Sequence, residues 1–492
     1  MPSTPLNWLL TLVLTPLLAQ KAAFGAFQEA PVIPQAPSRD IKKADSEARI
    51  IKSEVLGVSL MVPPGAKGNH VSDGDASFLR VQEGSTPPQW VVTVRILRMP
   101  ESGPAAAEQS SPGAIAQLFI TDAMRVSPGL IVLEDDSTNI QKLPATTIRA
   151  KVPHESSGKY ANYQWSFIQT GPNRFLLAET LTPADSNQNI QTTINELMDS
   201  MQLDDEFAIA GTVRDRLKAG AEILSRIDKR ILRKLVEKNP EDTWYRQYAF
   251  NAEGEEIELG YVGISMMETT ADQIGRSNPQ SSTEDETGLL VRVRSHRFPA
   301  KDKQVSWDTD TQCWVSWDRE EESFSTVATG RIPNQDQSIS LSVVGVRPRP
   351  TAGQPVRFLE VLSSRADSFT RDRVSLEIPD SRIYISEAER LVLANILPLI
   401  GAPAGSFSVW GWQPDRREIT RRLDTWELEE NGTWSIRTRS FPDAPVSTAK
   451  IQADGSVSDR VVATPDGREI WTRMDPDALR SFYRKRGIRL DS

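Results

Sequence analysis

The stretch VSWDTDTQCWVSWDREEESF, residues 305–324, holds the chain's only cysteine, Cys313, between acidic clusters and tryptophans. It admits three readings: a nucleophile, a calcium loop or a strand. Asp308 to Thr311 reads as a turn between VSW and QCWVSW. Period-two alternation then sets Cys313, Val315 and Trp317 on one face, and Trp314 and Ser316 on the other. No base sits beside Cys313 in this pattern, so it reads as a small buried hydrophobe. Asp308-Thr309-Asp310 lacks the sixth-position glycine and the twelfth-position glutamate of a calcium loop, and Asp73-Gly74-Asp75 is an Asp-rich turn for the same reason.

The neighbours of this strand are of the same kind. TWYRQYAFNAEGEEIELGYVGISMMET (243–269) alternates on either side of a turn at Glu253-Gly254. GLLVRVRSHRF (288–298) sets Leu290, Arg292 and Arg294 opposite Val291, Val293 and Ser295. ESFSTVATGRI and ISLSVVGVRP follow. Connections this short cannot cross over between parallel strands, so the segment is an antiparallel meander. A Pro-rich bend leads to VRFLEVLSSRADSF (356–369), which reads as a short helix. SEAERLVLANILPLIG (386–401) carries a capping box, Ser386 with Glu389, and ends at Gly401. A second meander contains FSVWGWQ and a hairpin at Asn431-Gly432. Asp475-Pro476 caps a last helix. The two meanders form one large curved antiparallel sheet or two related halves. Their pattern resembles the half-barrel sheets of bacterial periplasmic lipoprotein carriers, where helices cover a concave face.

The N-terminal half is also sheet-rich. LGVSLMVPPGA (56–66) turns at Gly57 between strands and stops at Pro-Pro-Gly. AIAQLFITDAMRV (114–126) places Ile115, Leu118, Phe119 and Ala123 on a helical face. Two strands surround a Leu-Pro turn in residues 131–153. YANYQWSFIQTGPNRFLLAETLTP (160–183) is a hairpin turning at Gly171-Pro172, with Tyr163, Trp165 and Phe167 on one face. Residues 186–203 close with a helix presenting Ile190, Ile194, Leu197, Met198 and Met201. This order resembles the PsbP-like fold over about Ile50 to Leu203, on the strength of LGVSLMVPPGA and the final hairpin and helix. The resemblance implies an accessory, scaffolding or binding domain. The fold class expected is therefore α+β: a PsbP-like domain at 49–205, one linker helix within 206–240, and an antiparallel β-rich domain with covering helices at 241–492. Within the linker, Val213, Leu217, Leu224, Ile227, Ile231 and Leu235 form the apolar face, and acids interrupt the basic one.

The first residues read as an export signal, 1–25. An apolar run from Trp8 to Ala19 precedes a signal-peptidase site at Ala23-Phe24-Gly25, and a Pro- and Ala-rich linker, 26–48, follows. No later segment is long enough to span a membrane. With 492 residues, 38% hydrophobic and 25% charged, the chain can bury cores without a disulfide, for which Cys313 has no partner. A net charge of -9 argues against nucleic-acid binding.

Catalytic signatures are absent. His70, His154 and His296 are scattered, no HExxH or GxSxG occurs, and no phosphate-cradling glycine loop is present. His296 ends a strand in the same domain as Cys313 and reads as an exposed strand-end histidine. No cofactor or metal site is expected. Tryptophan is abundant, 12 copies, and Trp410 and Trp412 point the same way in FSVWGWQ. An aromatic row there is the expected ligand-binding site. The function expected is a non-enzymatic exported protein, periplasmic or extracellular, binding an envelope protein or an apolar or glycan ligand. The alternative is a hydrolase that uses carboxylates on an envelope polymer.

Overall fold

The computed structural model describes residues 49–485 except for short internal stretches, of which 99–110 and 272–286 are the longest. The expected export signal, the linker at 26–48, His154, Gly74, Asp75, Pro172, Glu253 and Asn431 lie outside the described residues. The chain divides into two compact units at Gly211/Thr212.

The first unit is built on a 7-stranded antiparallel sheet. Its strands are β3 (Ala66–Asp73), β4 (Ala76–Glu83), β5 (Val91–Arg98), β6 (Ile131–Ile140), β7 (Leu143–Pro153), β8 (Tyr160–Gly171) and β9 (Arg174–Pro183), in spatial order 3-4-5-9-8-7-6. The central strand β9 is buried on both faces, which is why its first half, FLLA (Phe175 to Ala178), is a continuous apolar run. Phe175 and Leu177 face helix α1 (Pro112–Val126), where Phe119 packs edge-on against Trp165 and Phe167 at 5.1 and 5.3 Å. Leu176 and Ala178 face helix α2 (Gln188–Asp199). On that same side lies a small sheet of β1 (Arg49–Ser53), β2 (Val58–Val62) and β10 (Gln202–Leu203). The buried Trp165 indole donates to the buried carboxylate of Glu179 at 2.8 Å. Strand β3, AKGNHVSD, is largely polar and carries little alternation, and β4, ASFLRVQE, lies beside it as a second strand not expected from the sequence. The expected Leu-Pro turn sits two residues earlier, at Gln141 and Lys142, whose φ values of 53° and 68° make the turn between β6 and β7.

The single linker helix is corrected to two. Helix α3 (Glu206–Leu224) ends, and Asp228 caps α4 (Lys229–Lys238) by accepting from the Ile231 amide at 2.8 Å. Ile223, Leu224, Ile227, Ile231, Leu232 and Leu235 then join the core of the second unit, so this segment is part of that unit's packing.

The second unit is one 14-stranded antiparallel sheet. The first meander comprises β11 (Thr243–Phe250), β12 (Glu256–Thr270), β13 (Thr287–Arg297), β14 (Ser306–Ser316), β15 (Glu322–Arg331), β16 (Ser338–Arg347), β17 (Phe358–Arg365) and β18 (Arg371–Glu377). The second comprises β19 (Gly405–Gln413), β20 (Glu418–Leu428), β21 (Trp434–Arg439), β22 (Ser447–Ile451), β23 (Val457–Thr464) and β24 (Gly467–Met474). Pairing of β11 with β24 joins them. Two expectations are overturned here. Asp308 to Thr311 is no turn, because β14 runs straight through it. FLEVLSSR, from Phe358, is strand β17 and not a helix: Leu359 and Val361 enter the core while Phe358 and Leu362 stay exposed, a period of two.

The sheet curls around helix α5 (Glu387–Leu399), whose Val392, Leu393, Ile396 and Leu397 are buried at its centre. The capping box forms as expected, and Gly401 takes a φ of 58° just past the helix end. The curl brings strands from opposite halves together. Phe324 of β15 stacks on Trp412 of β19 at 6.4 Å, and Asp372 of β18 pairs with Arg417, just beyond β19, at 2.7 Å. Gly345 lies directly opposite Phe324, where an added Cβ would stand 2.0 Å from the ring.

Buried charges gather at the start of α5. Glu389 pairs with Arg319, Glu387 takes both Arg390 donors at 2.8 and 2.7 Å, and the Tyr384 hydroxyl donates to Glu322 at 2.6 Å. The other Glu322 oxygen is buried with no partner among the described residues. Burial outweighs the nearby Arg347 and pushes the Glu322 carboxyl up to about 7.

Two measurements check this packing. Gly345→Ala overpacks the Phe324–Trp412 contact and lowers stability by about 1–3 kcal/mol, read as a fall in melting temperature. Between the ordinary value of 4.5 and about 7, native Glu322 holds a proton that the unfolded chain has released. Its contribution to stability is therefore fully present below that window and lost as pH rises through it. Glu322→Gln flattens the pH dependence of denaturant stability across the same range; an unchanged slope would show that other groups carry it.

Candidate functional site

With the concave face filled, the chemistry gathers on the opposite face of β11–β15. Tyr245, Val262, Val291 and Cys313 point to the core, so Trp244, Tyr261, Arg294, His296, Asp308 and Asp310 point outward. Helix α6 (Pro476–Lys485) lies over part of this face. Asp475 caps it, its side chain accepting from the amides of Asp477 and Ala478 at 2.9 and 3.1 Å. Leu479 and Tyr483 are its buried residues, and the Tyr483 hydroxyl reaches the Gly260 carbonyl at 2.6 Å and Glu258 at 2.8 Å. Tyr261, Phe298 and Tyr483 form an aromatic cluster beneath the helix, with ring centres 5.3–6.5 Å apart. Between helix and strands a cleft of 780 Å³ remains.

Antiparallel register assembles the cleft. His296 and Asp308 are direct cross-strand partners, and Nδ1 of the imidazole lies 2.6 Å from Asp308 Oδ1. A carboxylate only accepts, so Nδ1 carries the proton of this bond. The ring stacks on Tyr261 at 5.5 Å and 20°. Arg331 approaches the second Asp308 oxygen at 3.4 Å. Arg292 binds Asp310, its Nε donating at 2.9 Å, and Arg294 pairs with Asp242. The Arg294 guanidinium also sits 5.6 Å from the Trp244 ring. Trp244 lies flat across Gly263, where a Cβ would stand 2.8 Å from the indole, so glycine alone leaves room for it. The outcome is a surface where cations and carboxylates alternate between aromatic planes, offering many hydrogen bonds and little net field.

The aromatic row expected to bind a ligand, Trp410 and Trp412, lies apart from this cleft. Trp412 is 3% exposed and stacked in the core, and Trp410 packs against it. Trp412 fills the curled sheet, Trp410 is partly buried, and neither lines this cleft. His296 was set aside as an exposed strand-end residue; its side chain is 27% exposed and paired with Asp308. The pairing is not visible while Asp308 is placed in a turn; it follows from β14 running through it. Reading β13 and β14 as full-length partners would have placed the two opposite each other. His70 lies on β3, in the first unit.

Cys313 sits at 1% exposure, facing the core as its alternation requires. Burial, reinforced by Glu387, pushes its thiol well above the ordinary range. Among the described residues no cluster of His, Cys, Asp and Glu is fit to hold a metal, and no helix is long and apolar enough to cross a membrane. Cys313 is therefore expected to resist a thiol reagent such as Ellman's in the native protein and to react once guanidinium unfolds it. Rapid native labelling would contradict this burial.

No protein-family model and no curated protein sequence matches the chain. Over part of its length the chain resembles solved structures. One is the cyanobacterial PsbP of Synechocystis sp. PCC 6803, at 10% identity over 32% of this chain and 93% of that one, TM-score 0.25. A second is the Ran-binding protein Mog1p of Saccharomyces cerevisiae, at 10% identity over 33% and 98%, TM-score 0.25. A beta-barrel-like protein of Brucella abortus matches at 9% identity over 48% and 95%, TM-score 0.30. Likeness of this degree concerns fold and carries no activity. It accords with the PsbP-like resemblance read in part of the sequence.

Proposed function

We propose that the chain is an exported binding protein of the cell envelope, and that the cleft over β11–β15 takes a hydroxyl-rich ligand, a glycan. The observation that carries this reading is the cleft's lining. Trp244 and the stacked Tyr261–His296 pair put aromatic surface around the cleft, against which the C–H side of a sugar ring can pack. Asp242, Arg294, Asp308 and Asp310 offer the planar donors and acceptors that adjacent hydroxyls need. Because each of these carboxylates faces a guanidinium or imidazole, the lining suits a neutral polyol better than a multiply charged ion. An apolar ligand is less well supported, since the concave face is occupied by α5 and its core. Export rests on the apolar N-terminal run and its small-residue cleavage site.

Isothermal titration calorimetry with soluble oligosaccharides of hexose and amino-sugar type tests the reading. Saturable binding is expected, weakened about 10-fold or more by Arg294→Ala, which removes charged hydrogen bonds and leaves the core untouched. If no oligosaccharide binds, or if Arg294→Ala binds as well as the parent, the cleft is not a glycan site.

A further inference from the structure

The cleft does not end at Trp244. A second depression, of 590 Å³, begins on its other side and shares Glu241, Asp242, Trp244 and Pro476 with the first. It continues over Thr472 and Met474 of β24 and Asp459 of β23, and Asp459 and Thr472 are register partners there. In the spatial order of the sheet, the lining residues therefore come from β15, β14, β13, β12, β11, β24 and β23, consecutive strands with none skipped. At about 4.8 Å between neighbouring strands, the path from first to last is roughly 29 Å. A monosaccharide would fill a small fraction of such a path.

We infer that the two depressions are one binding track for an extended glycan chain, with Trp244 as the stacking platform between its two arms. The inference rests on the glycan reading of the first depression and adds chain length and direction to it. The ligand lies across the strands, over Val327 and Thr329 at one end and Asp459 at the other. Trp244 sits where both arms begin, held over Gly263 and beside Arg294, so its position is set by the sheet before any ligand arrives. The second arm is polar, with Gln452, Ser456 and Asp459 on its rim, which suits further hydroxyl groups.

Calorimetric titration of the full chain with an oligomer ladder, from disaccharide to octasaccharide, tests the track. Affinity is expected to rise with length, by about 10-fold or more, and to level off once both arms are filled. Asp459→Ala, in the second arm alone, should remove most of the gain for long oligomers and leave the disaccharide unaffected. Trp244→Ala should weaken every length. Circular dichroism checks that each variant is folded, and the surface variant Asp459→Ala keeps the test decisive should Trp244→Ala fail to fold. Length-independent binding that still depends on Arg294 would overturn the track and spare the glycan reading. Insensitivity of long oligomers to Asp459→Ala would do the same. Failure of every oligomer to bind would overturn both.

Discussion

A curled antiparallel sheet must fill its concave face, and in the second unit helix α5 does so. Its apolar residues run around most of its circumference, as a helix enclosed on all sides requires. The price is a set of charges at its first turn that cannot reach water. The capping box, the Arg319–Glu389 pair and the bidentate Glu387–Arg390 pair satisfy most of them, and the half-satisfied Glu322 is what remains. Because the inside is filled, the cleft lies on the outward face of the sheet.

Both faces of the sheet use cross-strand pairs in which an aromatic lies opposite a glycine. Trp244 faces Gly263, Trp307 faces Gly330 and Phe324 faces Gly345, each ring occupying the space of the missing side chain. On the inner face the device binds Phe324 into the core. On the outer face it lays Trp244 flat at the centre of the cleft. Register matters equally, since a slip of one residue in β13 would turn Arg294 and His296 into the core and Val293 out to solvent. The C-terminal helix completes the site from the far end of the chain, held by Leu479 and by Tyr483, whose hydroxyl reaches the β12 backbone.

The first unit solves its burial differently. Its central strand β9 has helices on both sides, so two cores share one sheet, with Trp165 and Phe119 in one and Leu176 and Ile194 in the other. Glu179, inside this packing, is tolerated because it accepts from the Trp165 indole.

The sequence by itself determined the elements whose signals are local. Alternation marked the hairpin around Trp165 and the faces of Cys313 and Trp314. Ser386 with Glu389 marked the start of α5, and Asp475-Pro476 marked α6. A polar edge strand such as β3 carries too little periodicity to be seen, and VRFLEVLSS fits a helix as readily as a strand until Leu359 and Val361 meet the core. The break at Asp228 was masked by a continuous apolar stripe. Only the tertiary structure decided that Trp412 belongs to the core and Trp244 to a cleft, because both sit in strands of the same pattern and burial depends on which face the curl encloses. It alone brought His296 to Asp308, and Tyr483 to Tyr261 across more than two hundred residues. Such pairings are properties of register and curvature, which no local stretch of sequence encodes.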